Sequence, residues 1–81
     1  MNITILCFAK LASETARESL ALQLPEGSTV EDAMRLLVQR YQPISDLHHQ
    51  IALAVNMEYV GQGHALSDGD ELALIPPVSG G

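Results

Sequence analysis

Cysteine occurs once in this 81-residue chain, at Cys7. One cysteine closes no internal disulfide, so the chain is not a disulfide-stapled secreted domain. Tryptophan is absent and only three residues are aromatic. The core must therefore rest on Leu, Ile, Val and Ala. Basic residues are scarce, four against ten acidic ones. With no basic stripe to neutralise phosphates, the composition argues against nucleic acid and against an anionic membrane surface. The start, Met1-Asn2-Ile3-Thr4-Ile5-Leu6, has neither a basic region nor a long apolar run. A signal peptide and a transmembrane helix are not expected, and a cytoplasmic protein is.

Nearly half the residues are apolar, too many for a disordered chain. The length allows one domain with a modest core, marginally stable alone. A net charge of −6 keeps a small protein soluble and suits a partner with a basic surface.

Ile3 to Phe8 is β-branched, apolar and aromatic, which predicts a central strand buried on both faces. Lys10 to Arg17 has room for a short helix or turn. Glu18 to Leu24 alternates, with Leu20, Leu22 and Leu24 on one side, and predicts a half-buried strand closed by Pro25-Glu26-Gly27. Val30, Ala33, Met34, Leu37, Val38 and Tyr41 form one stripe of an amphipathic helix. Ser28 and Glu31 fit a capping box, with Thr29 as a rival N-cap. Glu31 and Asp32 suit the positive end of the helix dipole, Arg35 and Arg40 the negative end, and Pro43 stops the helix. Ile44 to Gln50 reads as irregular. Ile51 to Val55 is a near-continuous apolar strand, and Asn56 to Val60 a turn with a short strand. Ser67-Asp68-Gly69-Asp70 is a turn with Gly69 suited to positive φ, and Glu71 to Ile75 is the last strand.

One helix and one mixed sheet in so short a chain predict an α+β two-layer domain. Residues 1–75 form its body and 76–81 a flexible tail. The helix covers one sheet face only. Leu6 and Phe8 lie opposite Ile3, Ile5 and Cys7, and Ala73 and Ile75 opposite Leu72 and Leu74. The apolar face left over marks an interface, with Phe8 and Ile75 as its candidate residues.

The tail, Pro76-Pro77-Val78-Ser79-Gly80-Gly81, begins directly after the last strand. Two prolines remove two backbone donors and favour an extended path away from the sheet. Gly80 and Gly81 lack Cβ atoms and can pass through a channel that other residues would block. The C-terminal carboxylate of Gly81 is left unshielded, a geometry suited to a substrate presented inside another enzyme.

Several stretches resemble one family. They are Ile5-Leu6-Cys7-Phe8-Ala9-Lys10-Leu11, Pro25-Glu26-Gly27-Ser28-Thr29-Val30, Ala54-Val55-Asn56, and the run from Leu66 through Pro76-Pro77-Val78 to Gly80-Gly81. Over essentially its full length the chain is similar to the ubiquitin-like sulfur carriers, most of all the MoaD family of molybdopterin synthase small subunits. The resemblance implies a β-grasp fold with the first and last strands parallel and central. It also implies that an ATP- and magnesium-dependent activating enzyme adenylates Gly81, and that a persulfide donor converts it to a thiocarboxylate. The tail then enters the synthase large subunit and gives sulfur to a cyclic pyranopterin precursor, forming the molybdopterin dithiolene. This chain would bind no cofactor and would be the non-catalytic, sulfur-donating half of an enzyme. Family members often carry aromatic residues where this chain has Leu74 and Ile75, so bulk is lost while apolar character is kept. Two other readings share the tail. One is a thiamine-pathway sulfur carrier, a family usually shorter near Lys10 to Ser19 and without Pro-Pro-Val. The other is a ubiquitin-like modifier joined to lysines of other proteins.

The remaining polar residues read as structural. Cys7 lies in a buried strand and behaves as a small hydrophobe. His48, His49 and His64 lack the ligand spacing of a metal site, and none is expected. Asp68, Asp70 and Glu71 read as turn chemistry, with docking of a basic partner as a second role.

Overall fold

The computed structural model describes residues 1–7 and 19–75. Period-two alternation of apolar residues drives the first strand, β1 (Asn2–Cys7), whose Ile3, Ile5 and Cys7 are buried. The same alternation buries Leu20 and Leu22 in β2 (Ser19–Gln23), which pairs antiparallel with β1. Helix α1 (Val30–Arg40) follows, then a short helix α2 (Gln42–Leu47) and a 3₁₀ turn (His48–Gln50). Strands β3 (Ala52–Val55), β4 (Glu58–Tyr59) and β5 (Glu71–Ile75) complete one sheet in the order β2-β1-β5-β3-β4. β5 lies between β1, to which it is parallel, and β3, to which it is antiparallel. This is an α+β β-grasp fold, with the first and last strands adjacent at the sheet centre. Lys10 to Arg17 and the tail from Pro76 lie outside the described residues.

Ile3, Ile5, Leu22, Leu72 and Leu74 pack with Val30, Ala33, Met34 and Leu37 of α1 in the core between helix and sheet. β1 corrects the expectation of a strand buried on both faces. Thr4 is exposed and Leu6 half-buried, because among the described residues α1 covers only the side carrying Ile3 and Ile5.

The N-terminus of α1 corrects the cap. Thr29, not Ser28, is the N-cap, and its box partner is Asp32, not Glu31. The Thr29 N–H donates to Asp32 Oδ2 at 2.9 Å, and the Asp32 N–H donates to Thr29 Oγ1 at 3.4 Å. Ser28 is not available for this role: its hydroxyl turns back to the Pro25 carbonyl at 2.8 Å, inside the Pro25-Glu26-Gly27 turn. Gly27 supplies that turn with a φ of 86°. Arg35 lies at mid-helix rather than toward the negative end, and its guanidinium reaches back to Asp32 at 3.3 Å and Glu31 at 3.8 Å; Arg40 is in the last turn.

The stretch expected to be irregular is mostly helical. α1 ends because Tyr41 is extended, and its carbonyl accepts the Ile44 and Ser45 N–H groups to start α2. Pro43 falls in the first turn of α2, where no intrahelical donor is required. Tyr41 thus separates the two helices, and Pro43 begins the second instead of ending the helical region. Ile44 has no exposed surface and anchors α2 in the core.

Candidate functional site

The face of the sheet away from α1 is built by strand register. Leu6 pairs with Ala73, Ala73 with Ala54, and Ala54 with Tyr59, so the four form one row across β1, β5, β3 and β4. Ile75 pairs with Ala52 one step nearer the point where the chain leaves β5. Leu6, Ala73 and Ile75 are half-buried, and Tyr59 is 76% exposed. The result is an apolar strip ending at the root of the tail. Ile75 stands where the sequence places it, on this face. Phe8 and the tail residues Pro76, Pro77, Val78, Ser79, Gly80 and Gly81 lie outside the described residues.

Sequence reasoning missed Tyr59, Ala52 and Ala54. β4 is two residues long and shows no period of its own. The signal for the alanines was present in Ile51 to Val55, where small residues alternate with Leu53 and Val55.

Three acidic residues gather at the start of β5, the end away from Ile75. Asp68 Oδ1 accepts the Asn2 N–H at 2.6 Å, and Asp70 Oδ2 accepts the Ser67 N–H at 2.8 Å. The turn expected at Ser67 to Asp70 is present, with Gly69 at a φ of 87°. The Ser67 N–H, then the Asn56 amide, hold the Asp70 carboxyl below its ordinary value of 3.8. Glu71, the third acidic residue, gives its N–H to Asn56 Oδ1 at 3.0 Å.

Cys7 is buried on the helix side of β1, 2% exposed, and does not belong to the strip. His48 and His49 stack with ring centroids 3.8 Å apart, and His48 Nδ1 lies 2.8 Å from the Ser45 carbonyl. Among the described residues no three His, Cys, Asp or Glu side chains are grouped to hold a metal ion. No helix among them is long and apolar enough to cross a membrane. The arrangement presents an apolar strip on the open sheet face beside the end of β5.

Known proteins share this architecture. The model of the ThiS family matches residues 5–81. A molybdopterin synthase sulfur carrier subunit of Dictyostelium discoideum is 40% identical over 80 residues, covering 95% of this chain and 93% of that protein. One of Arabidopsis thaliana is 35% identical over 81 residues, covering 100% of this chain and 84% of that protein. The crystal structure of the small archaeal modifier protein 1 of Haloferax volcanii is 29% identical with a TM-score of 0.84, covering 95% of this chain and 98% of that one.

Proposed function

We propose, from the premise that this chain belongs to the ThiS family, that it is the sulfur carrier subunit of a molybdopterin synthase. The observation that carries this reading is the position of β5. It runs at the centre of the sheet and ends at Ile75, so the six residues Pro76 to Gly81 start beside the apolar strip. A partner docked on the strip receives the terminus in a defined place.

The working group is the carboxylate of Gly81. An activating enzyme joins it to the AMP moiety of ATP with loss of pyrophosphate, making a mixed anhydride with a good leaving group. A persulfide sulfur displaces AMP, and thiol exchange releases the donor, leaving a thiocarboxylate. That group has a lower pKa than a thiol and is ionised at neutral pH, so it attacks without a local base. The partners are the synthase large subunit, the ATP- and magnesium-dependent activating enzyme and a persulfide donor, in the cytoplasm. Pro76 and Pro77 direct the tail, Val78 and Ser79 extend it, and Gly80 and Gly81 keep it thin.

A second reading, a protein modifier, is favoured by the likeness to the archaeal modifier protein. In it the activated Gly81 meets a lysine amine instead of a persulfide, and an isopeptide results.

The test is intact mass after incubation with activating enzyme, ATP and a sulfur donor. Wild type gains the mass of one oxygen-to-sulfur exchange at Gly81. Deleting Gly81 withdraws the carboxylate by roughly 3.3 Å of extended chain. Reacting atoms must lie within about 3–3.5 Å, so the truncated chain is not converted. Equal conversion of the truncated chain, or sulfur mapped to Cys7, overturns the carrier reading. Gly81 found in isopeptides, with no thiocarboxylate, selects the modifier.

A further inference from the structure

We propose that the outer edge of β2 is a docking surface distinct from the apolar strip, fitting an extended, basic segment of a partner protein that joins the sheet as a further strand. It involves no residue of the tail and does not rest on the carrier reading. The sheet order β2-β1-β5-β3-β4 leaves β2 and β4 as edges. β4 is defended as edge strands usually are, being two residues long and carrying Glu58. β2 has neither defence. It runs for five residues, Ser19-Leu20-Ala21-Leu22-Gln23, with no charge and no proline. Its register with β1 is unbroken from the Asn2–Gln23 pair to the Leu6–Ser19 pair, so no bulge turns the edge away.

That register decides which backbone groups face outward. The Met1 amine donates to the Leu24 carbonyl at 2.7 Å, and the Leu24 N–H donates to the Met1 carbonyl at 3.0 Å. Met1 and Leu24 are therefore a hydrogen-bonded pair, and bonded pairs alternate with unbonded ones along an antiparallel ladder. Ile3 with Leu22 and Ile5 with Leu20 are the next bonded pairs. Thr4, between them, fits this alternation: its N–H turns away from β2 and donates to the Asp70 carbonyl at 3.0 Å. Leu20 and Leu22 thus direct their backbone groups at β1, while those of Ser19, Ala21 and Gln23 point out of the sheet. Among the described residues no hydrogen bond takes these outward groups. The side chains of Ser19, Ala21 and Gln23 are exposed as well.

Charge selects the occupant. Among the described residues the lysine and arginine side chains are those of Arg35 and Arg40, both on α1. Glu26 is exposed in the turn after β2. Asp68 is exposed at the same end, where its Oδ1 accepts the Asn2 N–H at 2.6 Å and Asn2 Oδ1 accepts the Gln23 amide at 3.2 Å. The Gln23 end of the edge is therefore acidic. A second copy would set a net charge of −6 against its equal. A segment with lysine or arginine beside Gln23 is attracted instead. An antiparallel strand brings its N-terminal end to that position. Such a strand bonds the backbone of Ala21 and Gln23 for affinity and sends its side chains to alternate faces, where β-branched residues fit.

The probe is a synthetic peptide of alternating valine and threonine with two lysines at its N-terminal end. A second peptide carries glutamates in place of the lysines. Hydrogen exchange is read on the full chain with and without peptide. In the protein alone the Ala21 and Gln23 amides exchange faster than those of Leu20 and Leu22. The lysine peptide protects Ala21 and Gln23, and its affinity falls at high salt. The glutamate peptide binds about tenfold more weakly, the effect of reversing two exposed charge pairs.

Ala21→Pro removes the outward N–H and keeps the ladder to β1, because proline is tolerated on an edge strand when its nitrogen faces outward. It lowers affinity for the lysine peptide by about tenfold or more, the worth of a backbone hydrogen bond. A lysine peptide N-methylated along its central residues, run against wild type in parallel, makes the test independent of the variant's folding. Lacking donors, it does not bind. Wild-type affinity in folded Ala21→Pro, binding of the N-methylated peptide, or no protection of the Ala21 and Gln23 amides overturns the edge assignment. Equal affinity for the lysine and glutamate peptides overturns the basic occupant. If the two amides become protected in the protein alone as its concentration rises, a second copy fills the edge and the proposal is overturned.

Discussion

Leu6 of β1 and Ala73 of β5 are register partners in the parallel central pair, and both lie on the sheet face that α1 leaves open. Their row continues through Ala54 to Tyr59, with Ile75 beside it. A partner that covers this row buries Tyr59, which contributes little to the isolated fold. Tyr59→Ala should leave the melting temperature nearly unchanged and weaken binding of the large subunit. Ile75→Asp should weaken it further, by about 2 kcal/mol or more, because a charge is buried unpaired. Calorimetric titration against the large subunit, with melting curves of each variant alone, checks both. Phe8→Asp extends the test to the candidate outside the described residues. Normal binding by all three variants would place the interface elsewhere.

Ile44 sits in the stretch whose sequence showed no period, yet it has no exposed surface. Ile44→Ala should destabilise the protein by about 3 kcal/mol, the usual cost of truncating a fully buried aliphatic side chain. Urea denaturation measures it. An effect below about 1 kcal/mol would mean that α2 is not docked on the core.

The β3–β4 hairpin turns through Asn56 and Met57, both with positive φ, and Met57 is 92% exposed at a φ of 73°. Turns of this kind favour glycine at the second position, because a Cβ is crowded there. Met57→Gly should therefore stabilise the fold by about 0.5–1 kcal/mol. Chemical denaturation reads the gain, and a loss of stability would show that the Met57 side chain contributes more than its backbone conformation costs.

Among the described residues, the carboxyl groups of Asp32 and Asp70 are held below their ordinary value. Asp32 is held down first by the Thr29 N–H, then by the Thr29 hydroxyl and Arg35, and Asp70 by the Ser67 N–H and the Asn56 amide. A depressed folded pKa contributes stability that is present above the unfolded value and disappears as pH falls through the folded value. The window therefore lies below about pH 4, where an unfolded aspartate takes up its proton. Wild type should exceed Asp32→Asn and Asp70→Asn in stability by a constant margin from neutrality down to about pH 5, and the margin should shrink below pH 4. Urea midpoints across this range test the sign. A margin that grows on acidification would contradict both assignments.

The residues that announced themselves in sequence were those whose structure is decided locally. Leu20 and Leu22 alternate, Val30 through Leu37 repeat with the helical period, and Gly69 marks its turn, because each pattern reflects the geometry of a few neighbouring residues. The strand order followed from the family resemblance, not from periodicity. The cap moved from Ser28 to Thr29 because two adjacent hydroxyl residues satisfy the same local rule. The Pro25 turn, which claims the Ser28 hydroxyl, decides between them. α2 was hidden because six residues are too few to show a helical period, and its stability comes from Ile44 entering a core that no local window contains. The apolar strip was half legible. Alternation put Leu6, Ala73 and Ile75 on one face, while Tyr59 joins them only through the β3–β4 register. Asn56 shows the division most clearly. Its sequence suggests a turn residue, and its three hydrogen bonds to Asp70 and Glu71 exist only because the sheet brings β3 beside the start of β5. Local periodicity and turn chemistry are written in neighbouring residues, whereas pairing partners and docking faces depend on contacts between distant segments that only the folded chain brings together.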